Sequence, residues 1–418
     1  MQRVIFLVDM NAFFISCEAT RRPELRGRPA AVAGDPKRRS GIILAANYEA
    51  RAFGVRTTMV IHEALKLCPD LLLIPPDHHF YVQKSDEVMR LLSDYTPVIE
   101  QGSIDEAWLD MTGCECLFGK PRECAEQIMD RISRELGLYC SIGISENKFL
   151  AKVASDFKKP QGITELWVRD VPEKLWPRNI NVLYGVGRKT AEALNRLGIQ
   201  TVGQLAATDQ EYLVRRFGKY AIDLMQKANG LDDSPVTPHV ADEMKSIGRS
   251  TTLPYDIDSL EEAKRVIMAL SEDVGQTARQ YNKKGRTVQI TLKYNDFKTI
   301  TRQTTIKPTY LSKEIMEAGI ALLKANWNSS RSVRLLGISI SGFDEDLAAD
   351  QISLFDLPPS NQPEKGSQRD APYKIKPAVS QYSSAREEKL EKSLDEIRRK
   401  FGGDKIKRAT LIQKDYDA

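Results

Sequence analysis

Three carboxylates sit where apolar strands of this chain are expected to end or bend. Asp9 closes the run RVIFLVD at 3–9, and Asp105 and Glu106 follow Gly102-Ser103-Ile104. A lone carboxylate at a buried strand end is expensive. Neighbours on a strand point to opposite faces, yet both reach one cation if the strand bends or stops there. Convergence of all three on divalent metal would resolve the charge. It would also make the clamp of two-metal phosphoryl transfer, in which one ion activates the attacking oxygen and both stabilise the transition state. The same residues admit a blander reading, in which Asp9 caps a helix beginning near Ala12 and the Asp105-Glu106 pair faces solvent. Spacing alone leaves both open.

The elements that must hold these groups are legible. Residues 3–9 form a short apolar run rich in β-branched residues and read as a buried strand, and 104–111 and 139–144 as further strands. Between the last two, Ala125, Ile128, Met129, Ile132 and Leu136 recur at helical spacing, with Pro121 suited to the first turn and Gly137 to the stop. Such alternation predicts an α/β or α+β sheet domain. From Val171 to Gly230 the pattern is helical and glycine-punctuated, without a strand signal. Residues 287–294, 299–306 and 333–340 alternate polar and apolar, and helical stretches span 259–281 and 311–327, giving a second α+β unit. Leu357 to Tyr382 is rich in Pro, Ser, Gln and Lys and reads as a linker. Ala385 to Phe401 returns to helix, with Leu390, Leu394, Ile397 and Phe401 in a stripe.

The chain has 418 residues, 41% hydrophobic and 28% charged, which excludes a mostly disordered or fibrous protein. No apolar run approaches a membrane span of about 18 residues, and Val4 to Val8 lacks the features of a signal peptide. The six cysteines form no CxxC pairs and read as free thiols of a cytosolic protein; Cys114, Cys116 and Cys124 lack a clear fourth ligand for zinc. The net charge is only +4, but Lys283 to Arg334 holds eleven Lys/Arg against three Asp/Glu, a local +8. That excess fits a phosphate-tracking surface.

The motifs DMNAFF at 9–14, NYEAR at 47–51, GSIDEAWLD at 102–110 and SENKFLAKVASDFKKPQG at 145–162 resemble, in order and spacing, those of the Y-family translesion DNA polymerases, in particular their bacterial polymerase IV-like branch. The resemblance implies an α+β right-hand polymerase. Palm would comprise 1–15 and 76–165, fingers 16–75, a helical thumb 166–240, an extra α+β little finger 241–345, and a flexible tail 346–418. It implies template-directed, low-fidelity DNA synthesis without proofreading, in damage tolerance and mutagenesis. Asp9, Asp105 and Glu106 would be the catalytic metal-binding carboxylates, with the Met10 carbonyl as a further ligand, for two Mg²⁺ ions that Mn²⁺ can replace. Many relatives carry Asp at the position of Asn11, which is not counted as a ligand here. Phe14 matches the steric gate against ribonucleotides. Tyr48, Arg51 and Lys159 match contacts to the incoming dNTP, Arg offering a planar fork for phosphate oxygens; Lys148 falls in the same motif as Lys159. Fingers rich in small residues imply a loosely enclosed nascent pair.

Gly185-Val186-Gly187-Arg188-Lys189 resembles a helix-hairpin-helix turn, where glycines let the backbone approach a phosphate; Phe217-Gly218-Lys219 is a weaker second candidate. Arg249, in the segment entering the little finger, and Lys293, Lys298, Arg302, Arg331 and Arg334 are expected to hold DNA backbone, the last five as one face across the sheet. Gln351-Ile-Ser-Leu354-Phe355 resembles the pentapeptide that binds the bacterial sliding clamp, the beta subunit of DNA polymerase III. Gln351 would make the polar contact, and Leu354 and Phe355 would fill an apolar pocket. Tethering raises effective concentration at the primer end. Expected partners are therefore primer-template DNA, dNTPs and the clamp, with no membrane, for a monomer in the bacterial cytoplasm at the nucleoid. The rivals are a non-catalytic damage-tolerance scaffold, or a palm-type cyclase or two-metal nuclease; neither of the last two needs a sugar gate, hairpin thumb and clamp peptide together.

Overall fold

The computed structural model describes residues 2–35, 41–238, 244–343 and 379–402. The chain divides into two units, 1–240 and 241–418. No helix among the described residues is long and apolar enough to cross a membrane.

The first unit opens with β1 (Ile5–Met10), buried at every position. Helix α1 (Phe13–Arg21), strands β2 (Ala30–Ala33) and β3 (Ile43–Ala46), helices α2 (Tyr48–Ala52) and α3 (Ile61–Leu67) and strand β4 (Leu72–Ile74) follow. Strands β2, β3 and β4 make a separate three-stranded sheet in the order β3-β2-β4. Five of its residues are alanine: Ala30, Ala31, Ala33, Ala45 and Ala46. Helix α4 (His78–Ser93), capped by the Asp77 carboxylate on the Phe80 N–H, leads to β5 (Ile99–Gln101) and β6 (Glu106–Asp110). Then come α5 (Glu115–Phe118), α6 (Pro121–Arg131), β7 (Cys140–Ser145), α7 (Lys148–Phe157) and β8 (Ile163–Glu165). Helix α6 begins at the expected proline, widens into a π turn over Ile132–Leu136 and stops at Gly137, which adopts φ +66°. The main sheet runs β5-β6-β1-β7-β8, so β1 lies at its centre, antiparallel to both neighbours.

Helix α7 is capped by Asn147, whose side-chain oxygen accepts from the Leu150 N–H at 2.8 Å. It lies so close to β7 that a Cβ at Gly143 would run into the Ala151 carbonyl and the Ser155 amide. Helices α8 (Arg188–Arg196), α9 (Val202–Ala206), α10 (Gln210–Phe217) and α11 (Tyr220–Ala228) complete the unit around their own core. The only strand-like feature described there is a single bridge, Asn179 to Thr201.

The second unit is a four-stranded antiparallel sheet, ordered β11-β10-β12-β9 and built from β9 (Ser246–Ile257), β10 (Gly285–Tyr294), β11 (Thr299–Thr309) and β12 (Val333–Phe343). Helices α12 (Leu260–Gln280) and α13 (Ser312–Asn326) cover one face, where Val288, Ile290, Leu292, Leu336, Ile338 and Ile340 are buried. Both units mix helices with largely antiparallel sheets, so the fold is α+β.

A last helix, α14 (Val379–Phe401), packs on α12. It starts six residues before the expected Ala385, inside the stretch read as linker. The last proline of that stretch is Pro377, and nothing after it forbids a helix. The docked face is ionic. Arg279, with its side chain 3% exposed, pairs with Glu391 and Asp395 and donates to the Tyr310 carbonyl at 3.0 Å. Arg398 pairs with Glu272 at 2.6 Å. The apolar stripe faces away, leaving Leu390, Ile397 and Phe401 exposed.

Candidate active site

Asp9 pairs across the central strands with Glu106 on β6 and Ser141 on β7. Directly opposed residues share a face of the sheet, so Asp9 and Glu106 project together. The strand expected over 104–111 begins only at Glu106. Asp105 therefore lies in the preceding bend, where its carbonyl accepts from the Met10 N–H at 2.8 Å and its Oδ1 from the Ser103 hydroxyl at 2.5 Å. That bend removes the difficulty of two adjacent carboxylates. All three, with Met10, line one cavity of about 350 Å³.

Two ammonium groups meet these carboxylates. Lys152 Nζ donates to Asp9 Oδ2 at 3.1 Å and also to Glu106 Oε2. Lys159 Nζ lies 2.8 Å from Asp9 and 2.7 Å from Asp156. Burial works against the charged form of both lysines, but Asp9 and its neighbours outweigh it and both hold their protons above the ordinary lysine range. Of the lysine pair at 158–159, Lys159 lines the cavity and Lys158 is exposed. Lys148 turns elsewhere, to Glu100 at 2.6 Å and the face of Trp108.

Tyr48 and Arg51 enter the same cavity from α2. Asn47 caps this helix by accepting from the Ala50 N–H at 3.0 Å, and its side chain also ties to Ala30 and Arg28. Arg51 donates from Nε to the Ala46 carbonyl at 2.9 Å and stacks 4.8 Å from the Tyr48 ring centre. The Tyr48 hydroxyl is buried without a hydrogen-bond partner, and burial raises its pKa. An orphaned hydroxyl is costly, and a phosphate oxygen in the cavity would satisfy it. The carboxylate, carbonyl and hydroxyl oxygens here form a hard donor set of the kind Mg²⁺ prefers. Among the described residues no three His, Cys, Asp or Glu side chains are gathered to hold an ion as they stand; the Lys152 ammonium takes the space between Asp9 and Glu106.

Phe14 lines the cavity opposite, half-buried, while Phe13 is core. The Phe14 ring stacks on Tyr81 with centroids 4.4 Å apart and meets His78 edge-on. Tyr81 is fully buried and donates to Glu18 at 2.8 Å, which in turn accepts from Arg21. The Asn11 side chain is committed away from the carboxylates. It donates to Ser141 Oγ at 3.0 Å and accepts from the Gln161 N–H at 2.8 Å. Sequence reasoning missed Lys152, Tyr81 and Asn11's role as a tie. Lys152 had a signal, since it lies within the motif that also carries Lys159.

In the helical part, Gly185 (φ +96°) and Gly187 form the turn into α8, where Gly187 is the N-cap and has open space at its Cα. Arg188 and Lys189 begin that helix, exposed. Tyr220, at the start of α11, donates to the Gly185 carbonyl at 2.8 Å and joins the two hairpins.

The expected basic face of the second unit is divided by register. Lys293 lies on the uncovered face with Gly248, Ser250, Thr291, Gly337 and Ser339, around a shallow cavity of about 400 Å³. Arg302 pairs with Ile290 and Arg249 with Ile338. Both partners are buried under the helices, so these two arginines lie on the covered side, reaching Asn326 and Thr277. Lys298 and Arg331, in the β10–β11 turn and the loop before β12, gather with Arg334 of β12. Arg331 pairs with Asp296 at 2.7 Å and covers Tyr294, and Arg334 and Lys293 both lie over Phe297. One continuous face of five is thus corrected: Lys293 reaches from the open face to the cluster of Lys298, Arg331 and Arg334 around Phe297, and Arg302 lies on the covered side. Gln351, Leu354 and Phe355 lie outside the described residues.

The sequence profile of the impB/mucB/samB family matches residues 8–156, that of its C-terminal domain 244–354, and that of the IMS family HHH motif 168–199. The chain is 57% identical over 414 residues to the DNA polymerase IV of Clostridium kluyveri, covering 99% of each. It is 55% identical to that of Alkaliphilus oremlandii, over 99% of this chain and 100% of the relative. It is 38% identical to DNA polymerase IV 1 of Bacillus subtilis, over 99% and 94%. Among solved structures, a Y-family DNA polymerase chimera superposes with a TM-score of 0.72 at 26% identity, over 81% of this chain and 99% of the chimera.

Proposed function

The chain belongs to the impB/mucB/samB family of Y-family DNA polymerases, and from that premise we propose how its residues carry out the reaction. It is a DNA-directed DNA polymerase of the polymerase IV type that performs translesion synthesis with divalent-metal dependence. Its substrates are primer-template DNA and dNTPs.

In the proposed site, Asp9, Asp105, Glu106 and the Met10 carbonyl would hold two Mg²⁺ ions, whose bound charge would supply Lewis acidity toward the primer 3′-hydroxyl and the α-phosphate. Ser103 orients Asp105. Tyr48, Arg51 and Lys159 bind and align the triphosphate, so that pyrophosphate is in line to leave. Phe14, backed by Tyr81, closes the space a 2′-hydroxyl would need. The alanine-rich sheet beside the cavity supports loose enclosure of the base pair, and hence low fidelity. Gly185, Gly187, Arg188 and Lys189 hold DNA backbone in the first unit; Lys293, Arg331 and Arg334 do so in the second. Arg249 and Arg302, engaged on the covered side with Thr277 and Asn326, must release these partners to join them. Gln351, Leu354 and Phe355 bind the sliding clamp, and the enzyme acts as a monomer on nucleoid DNA in the cytoplasm.

The observation that carries this reading is the single cavity shared by three carboxylates and the unpaired Tyr48 hydroxyl. Primer extension with Mg²⁺ and each dNTP, beside Asp105→Asn, tests it. Template-directed addition by the parent, lost in the variant while DNA binding persists, is expected. Full activity in Asp105→Asn would overturn the carboxylate assignment; DNA binding by a parent that extends no primer would favour the scaffold.

A further inference from the structure

Lys152 has no place in the mechanism above, yet it occupies the centre of the carboxylate cluster. Its Nζ bridges Asp9 Oδ2, at 3.1 Å, and Glu106 Oε2. The side chains of Lys152, Asp9 and Glu106 are only 11%, 12% and 15% exposed. The lysine is fixed at its root. Helix α7 is seated on β7 at Gly143, where no side chain fits, so its backbone has no room to move inward. Its four-carbon stem is flexible, and the ammonium opens onto the cavity that also holds Tyr48, Arg51 and Lys159.

Two carboxylates on adjacent strands repel each other unless a cation lies between them. Here that cation is part of the chain. An ion ligated by both Asp9 and Glu106 would need the same space, and two cations do not share it. We propose that Lys152 is an internal counter-ion: it holds Asp9 and Glu106 together in the metal-free enzyme and must swing out before a divalent cation binds between them. This rests on the reading of Asp9, Asp105 and Glu106 as the cation ligands. Its consequence is regulatory. Without nucleotide, the ammonium must give up both Asp9 and Glu106 to make room, so metal is held weakly. A triphosphate in the cavity offers new oxygens to the displaced ammonium, so metal and nucleotide assist one another's binding. The enzyme would then retain a complete metal site only when substrate is present.

The test is Mn²⁺ binding to the full-length protein without nucleotide or DNA, followed by electron paramagnetic resonance of free Mn²⁺, alongside thermal melting of the metal-free proteins. Lys152→Met is expected to bind Mn²⁺ at least on the order of tenfold more tightly, because no ammonium then has to give up its two carboxylates to make room. Its metal-free form should melt lower, and Mn²⁺ should restore it. Lys152→Gln, which keeps a donor without the charge, should behave likewise and serves if the methionine variant does not fold. Lys152→Arg should remain near the parent. Equal or weaker Mn²⁺ binding by the neutral variants, with Asp105→Asn binding Mn²⁺ more weakly than the parent, would overturn the proposal alone. Undiminished Mn²⁺ binding by Asp105→Asn would overturn the carboxylate reading beneath it.

Discussion

Replacing Asn11 by alanine should damage stability and nucleotide binding through one loss. Its side chain, in a residue 3% exposed, bonds Ser141 Oγ at 3.0 Å and the Gln161 N–H at 2.8 Å. The second bond holds the turn directly after Lys159. A net hydrogen bond contributes about 1 kcal/mol, and a partner left buried and unsatisfied raises the loss to about 1–3 kcal/mol. The Ser141 hydroxyl keeps the Gly162 N–H as a partner, so its bond counts at about 1 kcal/mol and the orphaned Gln161 N–H at about 1–3; the total is about 2–4 kcal/mol, or roughly 4–16 °C in melting temperature at about 2–4 °C per kcal/mol for a unit of this size. With the turn loosened, Lys159 loses its fixed place beside Asp9, and KM for dNTP should rise roughly five- to tenfold, about 1–1.4 kcal/mol of binding, with a smaller change in kcat. Asn11→Asp separates hydrogen bonding from side-chain identity. A carboxylate still accepts from the Gln161 N–H, and the Ser141 hydroxyl can rotate to donate to it. That variant should melt close to the parent. Differential scanning calorimetry and steady-state single-nucleotide insertion measure both effects. Parental melting and KM in Asn11→Ala, or equal damage from Asn11→Asp, would refute the reasoning.

Phe14→Ala should lower discrimination against ribonucleotides by at least on the order of tenfold, measured as the ratio of kcat/KM for dNTP and rNTP; an unchanged ratio counts against the gate. Arg279→Met removes the cation that Glu391 and Asp395 share, and breaking such a buried pair costs about 3–5 kcal/mol. Helix α14 should then be cut faster by a limiting protease, and unchanged cleavage would show that the ionic face does not hold it. Replacing Leu354 and Phe355 together by alanine should remove stimulation by the sliding clamp and spare basal extension; persistent stimulation would place the clamp contact elsewhere.

What could be read in advance was local. Apolar runs and alternation marked β1, β6, β7, β10, β11 and β12, because burial on one or both faces of a strand leaves a pattern within a few residues. The carboxylates were legible because their spacing recurs in recognisable motifs. What escaped depends on pairing between distant segments. Lys152 meets Asp9 across 143 positions, a contact set by how α7 lies on the sheet and not by any local period. Arg302 could not be separated from Lys293 in advance, because a residue's face follows from its cross-strand partner, here Ile290, and register is invisible in one strand alone. Helix α14 showed an apolar stripe, but its docking uses the acidic side that meets Arg279. Hydrophobic periodicity says nothing about a buried ion pair.

The glycine at 143 links fates that would otherwise be independent. Helix α7 carries Lys152, and the turn just beyond its end carries Lys159, so both ammonium groups inherit their position from a spot where the helix backbone leaves no room for a side chain on the strand. Any side chain there would lift the helix and withdraw both charges from Asp9 at once. Drift at this position is therefore barred by geometry rather than by chemistry. A glycine outside the cavity lining should tolerate change as poorly as a catalytic carboxylate does.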